Sequence, residues 1–280
     1  MSDQNFLNLK GKLNKRGPFE ENEDRTIVFS VGNSNEGHGY ALPRDIDGRQ
    51  AMWVANNAAN KAGARYIAHL PFSTDRVGDI AINWSPNYIP LDEFYSKSIK
   101  FMNFHIKTLQ DYDISFEKIV LVNFHGGNIF PKKIINEMKK ELGDYEVEAI
   151  GPFDLNFEVV DQNEFENWFK NQGIKPGHAD TTEHSIASAL VLVDYDKLKV
   201  MNDLIAKDIN AALKRWPEIG GLGGYLEYGG SEFEPLRDPK YGLVACYEKF
   251  KKDKKIFIHR GLGQFILQGL IDTVAHACLI

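Results

Sequence analysis

Cysteine is scarce in this chain. Only Cys246 and Cys278 occur among its 280 residues. Two cysteines are too few for a disulfide framework or for a zinc site built from thiolates. We therefore interpret both as reduced core thiols and expect a cytoplasmic protein.

Positive charge and long apolar segments are also limited. The formal net charge of -6 argues against a general electrostatic attraction to nucleic acid, which requires a basic face. No stretch approaches the roughly 18 apolar residues of a membrane span, and the polar first 24 residues carry no apolar signal-peptide core. We expect a soluble protein that is not exported, with neither a nucleic-acid nor a membrane partner.

The chain does contain strand-like apolar runs that alternate with helical patterns. Strands are predicted at 25–31, 65–70, 117–123 and 145–151, with a further short run at 255–259. Helices are predicted between them and at 182–193, 202–216 and 263–279, and the glycine-rich segment 220–230 is predicted to be mobile. This alternation predicts an α/β fold, with a parallel sheet covered on both faces. No repeat or linker is visible, so we expect an irregular arm over 1–24 and a single domain over 25–280.

Potential metal ligands cluster where predicted strands give way to loops. Glu36 and His38 lie two residues apart after the first strand, and in an extended segment such side chains point the same way. Asp47 follows just before a helix, and His125 lies in the loop after the third strand. Ligands of parallel sheets bind beyond the carboxyl ends of the strands. The layout therefore predicts one shared site.

A further cluster, His178 and Glu183, occurs at the predicted start of a helix. Each cluster also has an ordinary structural explanation, such as a helix N-cap for Asp47, for which Asp45 is an alternative. Together, nitrogen and oxygen ligands without sulfur suit Zn²⁺, Mn²⁺ or Fe²⁺. Two such ions about 3.5–4 Å apart can hold a hydroxide and polarise a carbonyl. A spare histidine then moves the proton, and His178 is the candidate.

These residues resemble the motifs of the creatininase (creatinine amidohydrolase) superfamily. The pattern E-x-H-G-x-x-L-P-x-x-x-D from Glu36 to Asp47 is similar to its first motif. The N-x-H-G-G-N loop from Asn123 to Asn128 is similar to the second, and His178 with Glu183 to the third. The motifs occur in the family's order and span over half of the chain.

The resemblance implies a three-layer α/β/α sandwich around a mostly parallel sheet, two divalent metal ions per subunit, and often a hexamer. It assigns Glu36 and His125 to one ion and His38 to the other, with Asp47 as the bridge. A homo-oligomer is therefore expected.

One position departs from the family pattern. Creatininases carry a further glutamate ligand where this chain has Gly127. The second ion then needs another ligand, and Glu183 is the expected replacement, with a role in catalysis as well. The departure also argues against creatinine itself as the substrate.

The resemblance implies a hydrolase in which a metal-bound hydroxide attacks the carbonyl of a small cyclic amide or cyclic ketone. One alternative is the ring-opening hydrolase of 3-dehydro-scyllo-inosose, and another is the formamide deformylase of a ribosylaminopyrimidine phosphate. A phosphoester hydrolase is a further alternative, but it would need more cationic residues near the motifs than this chain has. A non-catalytic small-molecule-binding protein on the same fold would hold substoichiometric metal and show no turnover.

Five residues are candidates for binding the substrate. Arg44 would suit a hydroxyl-rich or anionic molecule, with a surface or intersubunit salt bridge as the alternative. Tyr40, Trp84 and Trp168 are aromatic residues near the motifs or in predicted loops, where simple packing is the alternative. Asn128 closes the second motif.

Overall fold

A single parallel sheet organises the molecule. The computed structural model describes residues 25–143 and 145–280, so the predicted arm at 1–24 lies outside the described residues. The strands are β1 (Thr26–Val31), β2 (Arg65–Leu70), β3 (Lys118–Asn123) and β4 (Glu146–Ile150), in the order β2-β1-β3-β4. At the carboxyl edge Val31 pairs with both Leu70 and Asn123. The loops that leave β1, β2 and β3 therefore start side by side.

Helices make up most of the remaining described structure. The α-helices are α1 (Ile46–Ala62), α2 (Leu91–Asp111), α3 (Lys132–Leu142), α4 (Gln162–Glu166), α5 (Thr181–Ala189), α6 (Tyr195–Lys207), α7 (Ile209–Arg215), α8 (Ile219–Tyr228), α9 (Leu243–Asp253) and α10 (Arg260–Leu279). Short 3₁₀ helices occur at Gly78–Asn83, Ser231–Arg237 and Pro239–Tyr241, and a π-helical turn at Asn167–Asn171.

The sheet lies between two helical layers. Alternate strand residues such as Val28 and Val120 join a core with α1 and α10, whereas Phe29 and Leu121 join a core with α2 and α3. This alternation follows from the two-residue period of a strand. The predicted α/β/α sandwich is confirmed. A further core, formed largely by α6, α7, α8 and α9, lies beside it.

Three local predictions are wrong. The helix at 202–216 is two helices, because Asp208 interrupts it and its side chain caps α7 through the Ala211 N–H (3.0 Å). The segment 220–230 is mostly helix α8 rather than a mobile loop, and its glycines allow the left-handed backbone with which it begins. No strand forms at 255–259 in the described chain. There, the backbone N–H groups of Ile256 and Phe257 donate to side chains and not to a ladder.

The last helix, α10, is the one helix in the described residues that is long and apolar enough to cross a membrane. The sequence predicted a helix here, at 263–279, but not that its length and composition would meet this criterion. Its most apolar 18-residue window is 67% buried inside the protein, and its apolar residues join the core under the sheet. The core helix of a soluble protein has the same properties.

Candidate metal centre

The loop after β1 brings Glu36 and His38 to the carboxyl edge of the sheet. The N–H of Glu36 donates to the carbonyl of Arg44 at 2.9 Å, and that of Gly37 to the carbonyl of Trp84 at 2.7 Å. These two bonds fix the loop from both sides. Each of the two side chains is only 1% exposed, so both are withdrawn from bulk water.

Asp47 reaches the same place from the first turn of α1. A Cβ on Gly32 would lie 2.6 Å from the main chain of Asp47, so only glycine lets α1 begin this close to the end of β1. Asp45 is instead 42% exposed at its side chain and pairs with Arg49 at 2.9 Å. Of the two carboxylates that the sequence left open, the fold buries Asp47.

The loop after β3 is held by the side chain of Asn123. Its Nδ2 donates to the carbonyls of His125 (3.0 Å) and Asn128 (2.9 Å), and its Oδ1 accepts from the His125 N–H (3.1 Å). These bonds satisfy buried backbone groups that the tight turn leaves without a ladder partner. The backbone that carries His125 is therefore fixed.

The ring of His125 is oriented by a main-chain carbonyl. Its Nε2 lies 3.1 Å from the oxygen of Thr74, which can only accept, so Nε2 carries the proton. Its Nδ1 then faces Glu36 Oε2 at 2.9 Å and Asp47 Oδ2 at 3.0 Å. Such a second bond to a histidine commonly sets the nitrogen that is left free for a metal.

The start of α5 provides Glu183. Asp180 caps the helix by accepting from the N–H groups of Thr182 (2.8 Å) and Glu183 (3.0 Å). Ala179 has a left-handed backbone (φ 48°) and donates its N–H to Glu183 Oε2 at 2.6 Å. A non-glycine residue in this region is strained by about 1–2 kcal/mol. The strain falls directly beside the site.

His178 lies against the ring of His38, with the ring centroids 4.4 Å apart. Its Nε2 lies 2.6 Å from the carbonyl oxygen of Gly37, so this nitrogen donates and Nδ1 is free. That Nδ1 lies 3.5 Å from Glu36 Oε1. His178, predicted in a cluster with Glu183, therefore lies beside Glu36 and His38.

The side chains form three overlapping groups of potential ligands. Their ligand atoms lie within 4.8 Å of one another in each group: Glu36, Asp47 and His125; His38, Asp47 and Glu183; and Glu36, His38 and His178. The two oxygens of Asp47 face different histidines, with Oδ1 3.4 Å from His38 Nε2 and Oδ2 3.0 Å from His125 Nδ1. Asp47 is thus shared by the first two groups.

Burial and mutual attraction shift the protonation of the cluster. Burial raises the pKa of Glu36 to about 7 and that of Glu183 to about 8. Burial opposes the charged form of His38, but Asp47 and Glu183 outweigh it and raise the pKa of His38 to about 10. Without a metal, protons bound to these side chains therefore reduce the repulsion between the neighbouring carboxylates.

His178 behaves in the opposite way. Burial, together with the charge of His38, lowers its pKa well below the usual value. Its ring is therefore neutral near neutral pH, with the free Nδ1 ready to accept a proton.

The donor set fits a divalent metal. His38 Nε2 is buried and makes no hydrogen bond to any described residue, although three carboxylates lie within 4.0 Å of it. A buried polar atom without a partner is costly, and a bound cation would satisfy it. Imidazole and carboxylate ligands suit Zn²⁺, Mn²⁺ or Fe²⁺.

A cavity of about 720 Å³ opens over this cluster. Glu36, His125, His178 and Glu183 contribute to its wall, as do the predicted substrate residues Trp84 and Asn128. The other three predicted substrate residues do not line it. Tyr40 stacks on a neighbouring tryptophan, Arg44 donates to an asparagine of its own loop, and Trp168 lies against His259.

Solved structures with the same architecture are creatininases. One is a manganese form of creatininase, with a TM-score of 0.55 and 16% identity over 90% of this chain and 90% of that chain. Another is a Zn-Zn form of a glutamine-substituted creatininase, with a TM-score of 0.54 and 16% identity over 99% and 94%. The chain has the creatininase fold. This agrees with the resemblance found in the sequence motifs.

Sequence relatives of this creatininase-fold chain are archaeal enzymes. The 2-amino-5-formylamino-6-ribosylaminopyrimidin-4(3H)-one 5'-monophosphate deformylase of Methanothermus fervidus is 27% identical over 70% of this chain and 64% of its own length. The deformylase of the same name from Methanococcus maripaludis is 24% identical over 91% of each chain. No family model matches. Both sets of similar proteins agree with the predicted class, a metal-dependent hydrolase.

Two residues of this creatininase fold escaped the sequence prediction. Thr74 and Asp75 lie in the loop after β2, and Asp75 Oδ2 is 3.9 Å from His125 Nε2. A Cβ on Gly127 would lie 2.4 Å from His125 Nε2 and 2.8 Å from Asp75 Cγ. The carboxyl group of Asp75 thus fills space beside Gly127, where a larger residue would stand. An acidic residue in the loop after the second predicted strand was the available signal.

Proposed function

We propose that the protein is a binuclear metal-dependent hydrolase that cleaves an amide-type C–N bond of a small molecule. The sharing of Asp47 between two groups of ligands carries this proposal. Glu36, Asp47 and His125 would hold one ion, and His38, Asp47 and Glu183 the other. The manganese and Zn-Zn creatininases of the same fold support the choice of metals. Two ions together activate water and polarise a carbonyl.

The residues around the centre have separate tasks. His178 accepts a proton at Nδ1, because its Nε2 is bound to Gly37 and burial keeps the ring neutral. It can return that proton to the departing nitrogen. Glu183 Oε2 is held by the Ala179 N–H, which limits its motion toward the cavity.

The deformylase relatives favour a formamide or a related amide as the bond that is cleaved. A cyclic amide or cyclic ketone, including an inosose, stays a prediction from the motifs, as does the homo-oligomer. A non-catalytic binding protein would not need a neutral histidine aimed at the cavity. We therefore place the enzyme first.

Metal content and turnover of two variants test this function. We expect wild-type protein to contain about two metal ions per subunit and to hydrolyse a member of a panel of formamides, cyclic amides and oxidised inositols. His125→Ala should lose metal and turnover together, whereas His178→Gln should keep its metal and lose turnover. Elemental analysis and a steady-state assay measure both. Turnover by metal-free wild-type protein would exclude the proposal.

Metal affinity should rise steeply with pH. His38, with a pKa raised to about 10, must lose its proton to bind a metal, as must Glu183, with a pKa of about 8. Each displaced proton strengthens binding about tenfold per pH unit while the pH is below that pKa. Competition with a chelator from about pH 6 to about pH 9 measures the slope after correction for the chelator. A flat profile would contradict these protonation states.

The folding stability of the metal-free protein should fall as the pH rises, opposite to the trend in metal affinity. The folded pKa of His38 lies above its ordinary value of 6.5, so its contribution to stability is complete below that value. The contribution is lost as the pH rises toward about 10. Thermal melting of metal-free protein across the same pH range measures this loss of stability. Metal-loaded protein is the matched control.

A further inference from the structure

The wall of the cavity carries two cationic side chains away from the metal ligands. Within the described residues, Arg76 and Lys240 are its only arginine or lysine. Both contact one aromatic ring: the Arg76 guanidinium carbon and Lys240 Nζ each lie 4.7 Å from the ring centroid of Tyr241. Tyr241 also donates its hydroxyl to the Arg76 carbonyl at 3.3 Å. This links the turn that carries Lys240 to the loop after β2.

Arg76 has no counter-ion among the described residues. No described carboxylate oxygen lies within 4.0 Å of its guanidinium nitrogens. The neighbouring Asp75 is engaged elsewhere, because Oδ1 accepts from the Val77 N–H and Oδ2 faces His125. Asp154, the other aspartate that lines the cavity, accepts from the Gly151 N–H at 2.7 Å. Lys240 is partly neutralised by Asp238 at 2.7 Å, so Arg76 is the stronger candidate for a ligand.

A guanidinium held against a ring is suited to bind an anion. Its planar fork can donate two parallel hydrogen bonds to a phosphate or carboxylate, and the ring restricts its motion in advance. A second cation on the same ring adds to the attraction.

We propose that Arg76, assisted by Lys240 and positioned by Tyr241, binds an anionic group of the substrate whose scissile bond lies at the metal centre. The proposal rests on the proposed hydrolase function and adds the substrate class, a small phosphorylated or carboxylated amide. The cavity of about 720 Å³ has room for such a molecule, since sites of about 300–1,000 Å³ hold drug-sized ligands. Phe124, Phe130 and Phe153 give the same cavity wall apolar surface.

Calorimetric titration with simple anions tests this site. The probes are ribose 5-phosphate, its neutral counterpart ribose, inorganic phosphate and acetate, added to metal-loaded protein and to chelator-treated protein. We expect ribose 5-phosphate to bind more tightly than ribose, and Arg76→Gln to weaken it about tenfold in both metal states. Lys240→Gln should have a smaller effect, because Asp238 shares its charge. Stronger binding of phosphate than of acetate would identify a phosphorylated substrate, and the reverse a carboxylated one.

Arg25→Gln is the control, because it removes the same charge from an exposed residue at the other end of β1. Thermal melting confirms that each variant is folded. If Arg76→Gln binds ribose 5-phosphate as tightly as wild type, the proposal is wrong, and so it is if metal removal alone abolishes binding. Elemental analysis of the same samples separates the two proposals. Protein that takes up no metal even when it is supplied, but shows anion binding dependent on Arg76, would contradict the hydrolase function and retain the anion site.

Discussion

Asp47→Asn should abolish turnover and empty the metal centre. We expect kcat/KM to fall about a thousandfold or more, because two ions supply several kcal/mol of transition-state stabilisation and about 1.4 kcal/mol is tenfold in rate. Asp47 faces His38 with Oδ1 and His125 with Oδ2, so one substitution weakens both groups of ligands. Metal content should fall from about two ions to less than one per subunit.

The same substitution should destabilise metal-free protein. His38 and His125, both with a raised pKa, hold Asp47 as a carboxylate whose own pKa lies well below the usual value. Removing one partner of a buried ion pair costs about 3–5 kcal/mol, because the remaining charge has no counter-ion. Denaturant unfolding of chelator-treated protein measures this loss.

Asp45→Asn provides a matched control two residues away. It makes the same chemical change in a half-exposed carboxylate whose partner is Arg49. Exposed pairs contribute about 0–1 kcal/mol, so stability, metal content and turnover should change little. If the two variants behave alike, Asp47 is not the shared ligand. If Asp47→Asn keeps both ions, the bridge must be a different residue.

The sequence predicted which candidate ligands lie together better than it predicted their surroundings. Glu36, His38, Asp47 and His125 each lie close to the end of a strand or the start of a helix, and the parallel sheet brings such positions together. Short-range spacing and strand order were therefore enough to predict that they meet. The choice of Asp47 over Asp45 needed the fold, because it depends on how closely α1 approaches Gly32.

The rest of the site depends on contacts between distant loops. The carbonyl of Thr74 orients His125, and the carbonyl of Gly37 orients His178, yet main-chain oxygens carry no residue-specific signal. The glycine-rich segment 220–230 was misread for a related reason. Its glycines serve left-handed backbone and close packing inside α8, which local composition does not distinguish from a mobile loop.

Gly127→Glu should not restore the glutamate ligand that the motif resemblance implies for this position. A Cβ there would lie 2.4 Å from His125 Nε2, 2.8 Å from Asp75 Cγ and 2.9 Å from Asp75 Cα, which is main chain and cannot rotate away. The ring of His125 would have to leave its bond to Thr74. We therefore expect weaker metal binding, by about 10–100-fold, as for other losses of support behind a ligand.

Gly127→Ala isolates the steric part of this effect, because it adds only the Cβ. We expect a loss of about 1–3 kcal/mol in unfolding free energy from overpacking, together with weaker metal binding. Gly126→Ala is the matched control, since a Cβ at that neighbouring position has no atom within 4 Å. Denaturant unfolding and chelator competition on the three variants measure both quantities. Tighter metal binding in Gly127→Glu would contradict the assignment of Glu183, because a carboxylate at 127 would then complete the centre.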